Sequence, residues 1–352
     1  MRFLLLTFLY CSVNIFSVDQ VMNYSLSSPA DIITSVNNTT NTSTADHIEP
    51  EASNIIFQSK DGGQTWYDIS QTLPDNEEPN GFFAGASEIY IRSKNIVYHS
   101  KSNLTVPVWK KENGLDLQNT SIALNHSGVT AYNYAGLVFQ KSTTGSWNPI
   151  YTNFKKSSMR GIYETANGTV FLSSDHGLYK SVDKGQNWKQ VVNEGGVMNI
   201  VESEGVLIGT GQKGIIRSTD NGEHWDWVIS EGGVGIAVER IDGGFAAISY
   251  NTLTQTRRIR ISKDGGKTWK AIDEQFQSSI YISSFKELPP AAFISSIKQI
   301  GSYLLCGHPN GIYRSADMGK TWNIVHSSVD NKVFKIYTSG NVLYALLVSE
   351  GC

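Results

Sequence analysis

The chain has 352 residues, 40% hydrophobic and 17% charged, with a formal net charge of −3; it has enough apolar material for a sizeable core and no global charge to draw it to nucleic acid or acidic membranes. Glycine is abundant at 32 residues and aromatics reach 11%. With no long apolar run at helical period, this composition excludes a helical bundle and favours many short strands and tight turns.

The N-terminus reads Met1-Arg2-Phe3-Leu4-Leu5-Leu6 and stays largely apolar to about Ser17. A basic start followed by a short apolar run is the pattern of a secretory signal, and it is too short to span a bilayer comfortably. Residues 1–20 are therefore expected to export the chain, as a secreted, periplasmic or cell-envelope protein. Tyr10 stands before Cys11 where a lipoprotein signal wants a small residue, so no lipid anchor is expected. Residues 21–53 include the run Asn37-Asn38-Thr39-Thr40-Asn41-Thr42-Ser43-Thr44 and read as a flexible polar leader. Asn-x-Ser/Thr sequons stand at Asn23, Asn37, Asn38, Asn41, Asn103, Asn119, Asn125 and Asn167 and matter only in a eukaryotic host. Once the signal is removed, Cys306 and Cys352 remain. Two thiols are too few for a disulfide scaffold, so both read as packing residues, and a bridge between them needs the last strand beside the last repeat.

From residue 54 onward one pattern recurs, Ser-x-Asp-x-Gly-x-x-Trp. Its complete copies are Ser59-Asp61-Gly63-Trp66, Ser181-Asp183-Gly185-Trp188, Ser218-Asp220-Gly222-Trp225, Ser262-Asp264-Gly266-Trp269 and Ser315-Asp317-Gly319-Trp322. Two degenerate copies fill the gap after the first: Ser100 and Ser102 lead to Trp109 with two extra residues, and Ser142-Thr144-Gly145-Trp147 is two residues short. The seven tryptophans are spaced 43, 38, 41, 37, 44 and 53 residues apart, the length of a four-stranded propeller blade. Each box follows a short β-type run such as Gly214-Ile215-Ile216-Arg217 and opens another such as Trp188-Lys189-Gln190-Val191-Val192, so it predicts a hairpin turn.

The residue types suit such a turn. The Asp carboxylate accepts turn N–H groups, the Ser hydroxyl shares those bonds, Gly supplies a backbone geometry other residues resist, and the Trp ring buries against a neighbouring hairpin. This pattern resembles the Asp-box, or bacterial-neuraminidase repeat, of sialidases, xyloglucanases, sortilin-type receptors and the photosystem II stability and assembly factor family. The resemblance implies that the boxes lie on the underside of a propeller, away from the ligand site, so the box aspartates are read as structural and neither catalytic nor metal-binding.

The ends of the domain carry complementary halves of a blade. Residues 54–57 and 65–69 predict a third and fourth strand, while Val333–Tyr337 and Val342–Val348 predict two strands that no box follows. Pairing them predicts an all-β domain over 54–352, a seven-bladed β-propeller closed by two strands from each end of the chain, which leaves no open sheet edge at the seam.

The face opposite the boxes is built by loops between second and third strands and loops joining blades. Tyr134, beside Asn133, His176, beside Asp175, Lys213, beside Gln212, Tyr250, beside Asn251, and His308 with Asn310 are expected around its mouth, as the candidate binding residues. Arg257, Arg258 and Arg260, with Lys263, Lys267 and Lys270 nearby, form a cationic strand and turn able to hold a carboxylate, sulfate or acidic protein surface; the competing reading is a charged edge that discourages aggregation. The loop 273–293, with Tyr281, Phe285, Pro289 and Pro290, is the longest blade connection. A loop of that length is read evenly as functional or as packing over the adjacent blade.

The sialidase likeness would imply three arginines for a substrate carboxylate, a Tyr–Glu nucleophile pair and an Asp acid, but that family's Arg-Ile-Pro signature is missing before Ser59. No carboxylate pair can be placed at a glycosidase separation, and metal, phosphate-loop and nucleophile-elbow patterns are equally missing. Over residues 54–348 the size and blade number resemble the photosystem II assembly factor family. The chain is thus expected to be an exported non-catalytic scaffold or recognition module, without cofactor, nucleic acid or transmembrane span. It is read as a monomer that binds a protein partner or a glycan, with a carbohydrate-binding or sialidase-like propeller as the alternative.

Overall fold

The structure, a computed structural model, describes residues 55–73, 79–115, 120–150, 152, 154, 158–193, 196–278, 294–328 and 332–348. The expected signal and leader, residues 279–293 and Cys352 lie outside these. The described chain forms seven four-stranded antiparallel sheets, the blades of a β-propeller. Blade one holds Pro79–Ala84, Glu88–Ser93, Ile96–Lys101 and Lys110–Lys111; blade two, Ser121–Asn125, Gly128–Tyr132, Val138–Lys141 and Trp147–Pro149. Blade three holds Met159–Glu164, Val170–Ser174, Gly177–Ser181 and Lys189–Val192; blade four, Ile200–Ser203, Val206–Gly211, Gly214–Ser218 and Asp226–Ile229. Blade five holds Gly233–Ile241, Gly244–Asn251, Thr256–Ser262 and Lys270–Ala271; blade six, Ser296–Ile300, Tyr303–His308, Gly311–Ser315 and Asn323–Ser327.

Blade seven is built from both ends: Val333–Ser339 and Val342–Val348 supply its first two strands, Ile56–Ser59 and Tyr67–Asp68 its last two. The joint is an antiparallel register of Ile56 with Leu346, Phe57 with Ala345, Gln58 with Tyr344 and Ser59 with Leu343. The strand Val342–Val348 is buried on both faces because blades press on it from either side, which is why it reads as an unbroken apolar run instead of an alternating one. Leu346 and Tyr344 pack with Phe82 and Ile91 of blade one, while Leu343 and Leu347 pack with Leu305 and Ile312 of blade six.

The five complete boxes share one bonding scheme. In the first, Ser59 Oγ donates to Asp61 Oδ1 at 2.9 Å and accepts Gly63 N–H at 3.0 Å. Asp61 also takes the N–H groups of Gln64 and Thr65, and Trp66 Nε1 donates back to the Gly63 carbonyl at 3.1 Å. Trp225 and Trp269 repeat that last bond at 3.1 Å. Trp322 instead donates to the Ile272 carbonyl of blade five, and Trp188 Nε1 is buried with no partner among the described residues. Asp183 and Asp317 are lowered to about 2, in each case chiefly by a backbone N–H, from Asn187 and Thr321 respectively.

Box glycines also make the joints between blades. Gly222 has φ +75°, and a Cβ there would lie 2.3 Å from the Phe171 ring of blade three; at Gly63, with φ +80°, it would lie 2.3 Å from Leu305 of blade six. Each of these turns therefore needs glycine twice, for its left-handed backbone and for the neighbour it touches. The residue before the box Ser answers from the other side. Lys180 Nζ reaches Glu223 at 2.6 Å, Arg217 Nε reaches the Gly265 carbonyl at 2.7 Å, and Arg314 Nε reaches the Gly62 carbonyl at 2.9 Å across the closing seam.

The shortened degenerate box keeps the turn but changes the anchor. Ser142 Oγ meets Thr144 Oγ1 at 2.9 Å and accepts Ser146 N–H, while Trp147 Nε1 donates to buried Glu112 of blade one at 2.9 Å. Lys141 Nζ lies 2.6 Å and the His99 ring 2.8 Å from the same carboxylate. Burial would raise Glu112, but the bonds from His99, Lys141 and Trp147 outweigh it and hold the group at about 2.

Candidate functional site

In every blade the turn between second and third strands lies at the opposite end of the sheet from the box, because antiparallel strands alternate direction. The residues expected at the mouth do sit on these turns or at their strand ends, but in different environments. Tyr134 is 38% exposed. Its hydroxyl donates to Asp175 Oδ2 at 2.7 Å, and the Arg160 guanidinium lies 4.7 Å from its ring centroid. Arg160 Nε also binds Asp175 Oδ1 at 2.7 Å. Burial would raise Asp175, yet Arg160 and Tyr134 hold it below the usual carboxylate range. The ring is thus fixed in place while part of it remains open to solvent.

His176 is exposed next to this group, with Nδ1 3.3 Å from Ser158 Oγ. Ser158 adopts φ +74°, a strained setting for a residue with a side chain. Lys213 and Asn310 are exposed, and Tyr250 is half-buried with the Arg257 guanidinium 5.9 Å from its ring centroid.

Three expected surface residues are internal instead. His308 is 6% exposed, and its ring stacks on Phe276 at 5.2 Å because the chain beyond blade five forms a short helix, Glu274–Ser278, that covers it. Gln275 fastens that helix through two bonds to the Trp322 backbone. Arg257 is buried and donates from Nη1 to the Ile294 carbonyl at 2.8 Å; Arg260 is buried and binds Ser249 Oγ and Glu231 Oε2, each at 2.5 Å. Two of the three arginines of the expected cationic patch are therefore core-facing, each bonded to acceptors within the fold.

Arg258 is the exception, and it stands in a cavity of about 320 Å³ at the loop-rich end of blades four and five. Its walls include Glu231, Ser249, Tyr250, Asn251, Thr254 and Arg258, with Gly214 and Gly233 also lining it. A Cβ on Gly233 would lie 1.5 Å from the Tyr250 carbonyl and one on Gly214 1.8 Å from the Ile229 carbonyl, so both positions require glycine and line the cavity with backbone alone. Arg258 Nε is clamped by both oxygens of Asp273, at 3.1 and 3.0 Å, and Asp273 is fully buried. Sequence reasoning passed over Glu231 and Asp273. Glu231 is a lone carboxylate in a short connection and Asp273 opens the longest one, and only strand pairing brings them to the arginine strand. Cys306 is a free, buried thiol whose pKa is pushed up by burial, consistent with a packing role.

Among the described residues no group of three or more His, Cys, Asp or Glu side chains could hold a metal ion, and no helix is long and apolar enough to cross a membrane.

A family model described as BNR/Asp-box repeat matches residues 260–271, the fourth complete box. No curated protein matches the sequence. Among solved structures, YCF48 bound to a D1 peptide is similar at TM-score 0.50 and 16% identity, over 76% of this chain and 92% of that one. The GH74 xyloglucanase of Xanthomonas campestris is similar at TM-score 0.55 and 14% identity, over 78% of this chain but only 52% of the enzyme. A catalytically inactive virginiamycin B lyase from Staphylococcus aureus, solved with quinupristin, is similar at TM-score 0.57 and 14% identity, over 84% and 100% of the two chains. At these identities the likeness carries the fold alone.

Proposed function

We propose that the chain is an exported, monomeric, non-catalytic recognition module whose loop-rich face binds a protein partner. The observation that carries this reading is the contrast between the two faces. Each complete box engages its own Asp in turn bonds, whereas the opposite face presents a partly open tyrosine, Tyr134, whose ring is pre-oriented by Asp175 and Arg160. Tyrosine is among the residue types that most often anchor protein interfaces. A similar fold solved with a bound peptide supports a protein ligand over a glycan, and the box aspartates, held ionised by their own turns, offer no proton donor for glycoside hydrolysis.

Crosslinking and pull-down with the full chain from its native envelope tests this. Tyr134→Ala should lower partner recovery by about tenfold, the loss expected of an interface anchor, while Tyr67→Ser on an outer strand should leave it unchanged. Turnover of a fluorogenic sialoside above blank, lost on mutation of a mouth residue, would overturn the reading in favour of a glycosidase. Retention of a glycan on an array with no protein captured would favour the carbohydrate-binding alternative.

A further inference from the structure

The cavity between blades four and five has a charge arrangement that selects its own ligand. Two ion pairs build it, Arg258 with Asp273 and Arg260 with Glu231, and each is neutral in sum. Arg258 and Glu231 both line the cavity, and each has one edge that its partner does not take. Arg258 is held through Nε alone, and among the described residues neither of its terminal Nη atoms makes a hydrogen bond. Glu231 accepts Arg260 on Oε2, and among the described residues its Oε1 accepts no hydrogen bond.

Of the neutral side chains in the same walls, Asn251, Thr254, Thr256 and Ser249 are already engaged. Asn251 Oδ1 accepts Leu253 and Thr254 N–H, and its Nδ2 donates to the Glu231 carbonyl. Thr254 and Thr256 hydroxyls bond each other at 2.8 Å, and Ser249 accepts Arg260. A saccharide, which is recognised through many neutral donors and acceptors, finds few of them free here. What remains, beside the Tyr250 hydroxyl and glycine backbone, is one cationic donor edge and one anionic acceptor edge.

We infer that this cavity binds a small zwitterion, whose carboxylate takes the Nη edge of Arg258 and whose ammonium takes Oε1 of Glu231. Asp273 and Arg260 act as positioning residues that fix those two edges. Because each wall charge is already neutralised by a partner, a ligand of single charge would leave one edge desolvated without a complementary contact, whereas a zwitterion answers both. A ligand without net charge also binds with little dependence on ionic strength. The inference rests on the reading that this face is the ligand-binding face, but concerns a site separate from the Tyr134 surface.

Calorimetric titration of the full chain with glycine, β-alanine and γ-aminobutyrate, against acetate, methylammonium and maltose, tests it without any mutation. At least one zwitterion should bind about tenfold more tightly than either single ion, and its affinity should change by less than about twofold between roughly 50 and 300 mM NaCl. Arg258→Gln and Glu231→Gln should each abolish that binding in protein that still unfolds cooperatively, and Tyr67→Ser, on an exposed outer strand that does not line the cavity, should keep it. Acetate binding as tightly as the zwitterions and weakening steeply with salt, maltose binding preferentially, or no heat from any zwitterion would each overturn the inference. Loss of zwitterion binding with pull-down intact would sink this inference alone; loss of the Tyr134-dependent capture with zwitterion binding intact would sink only the protein-partner reading.

Discussion

At the scale of single residues, the box shows how one side chain serves a turn and a ring at once. Gly222→Ala meets both a left-handed φ and the Phe171 ring, so it should cost about 3 kcal/mol in chemical denaturation. Gly145 in a degenerate box has φ +89° but nothing within 4 Å of its would-be Cβ; Gly145→Ala should cost only about 1 kcal/mol, the backbone strain alone. Equal losses would show that the glycines do not make the inter-blade joint. The box aspartates predict a pH dependence. Asp183 drops from an ordinary 3.8 to about 2 in the fold, so its contribution is complete above pH 3.8 and is lost as pH falls through 2. Asp183→Asn should therefore flatten the stability-versus-pH curve between about pH 4 and pH 2 relative to the parent, read as the thermal midpoint at each pH. A curve that keeps its slope there would remove the turn N–H groups as the cause.

At the scale of elements, the short helix Glu274–Ser278 is the part of the chain that sequence periodicity passed over. Five residues are too few to show a helical period, and the element exists because Phe276 finds a slot formed by His308, Tyr313 and Trp322. Phe276→Ala should lower stability by about 3 kcal/mol and expose His308, detected as a faster rate of histidine modification. A variant as stable as the parent would show that the helix merely lies on blade six. Tertiary packing also explains the two unexpected tryptophan partners. Trp322 turns to the Ile272 carbonyl beside the same helix, and Trp147 turns to Glu112 where the box lacks its Asp.

At the scale of the whole molecule, stability depends on the ring being closed. Removing residues 340–352 deletes the strand that pairs with Ile56–Ser59 and takes away Leu343, Tyr344, Leu346 and Leu347, which pack with Phe82, Leu305 and Phe57 in the two neighbouring clusters. Such a chain should yield no soluble cooperative fold; one that melts like the parent would refute closure through blade seven. The seven-blade count, the hairpin at each box and the union of head and tail strands were all legible from sequence, with strand limits displaced by one or two residues at the first hairpin. They are local: the box bonds join residues within four positions of one another, and the tryptophan spacing counts blades whatever surrounds them. The site was legible only as a face. Whether Arg257, Arg258 or Arg260 meets solvent turns on Ile294, Asp273 and Glu231, which lie 37, 15 and 29 residues away and come near only when loops and blades pack. Sequence by itself determined the repeating turn and therefore the architecture; tertiary structure alone decided which charges are neutralised inside it and which edge of one arginine is left for a ligand, because a side chain's exposure belongs to its neighbours and not to its own position in the repeat.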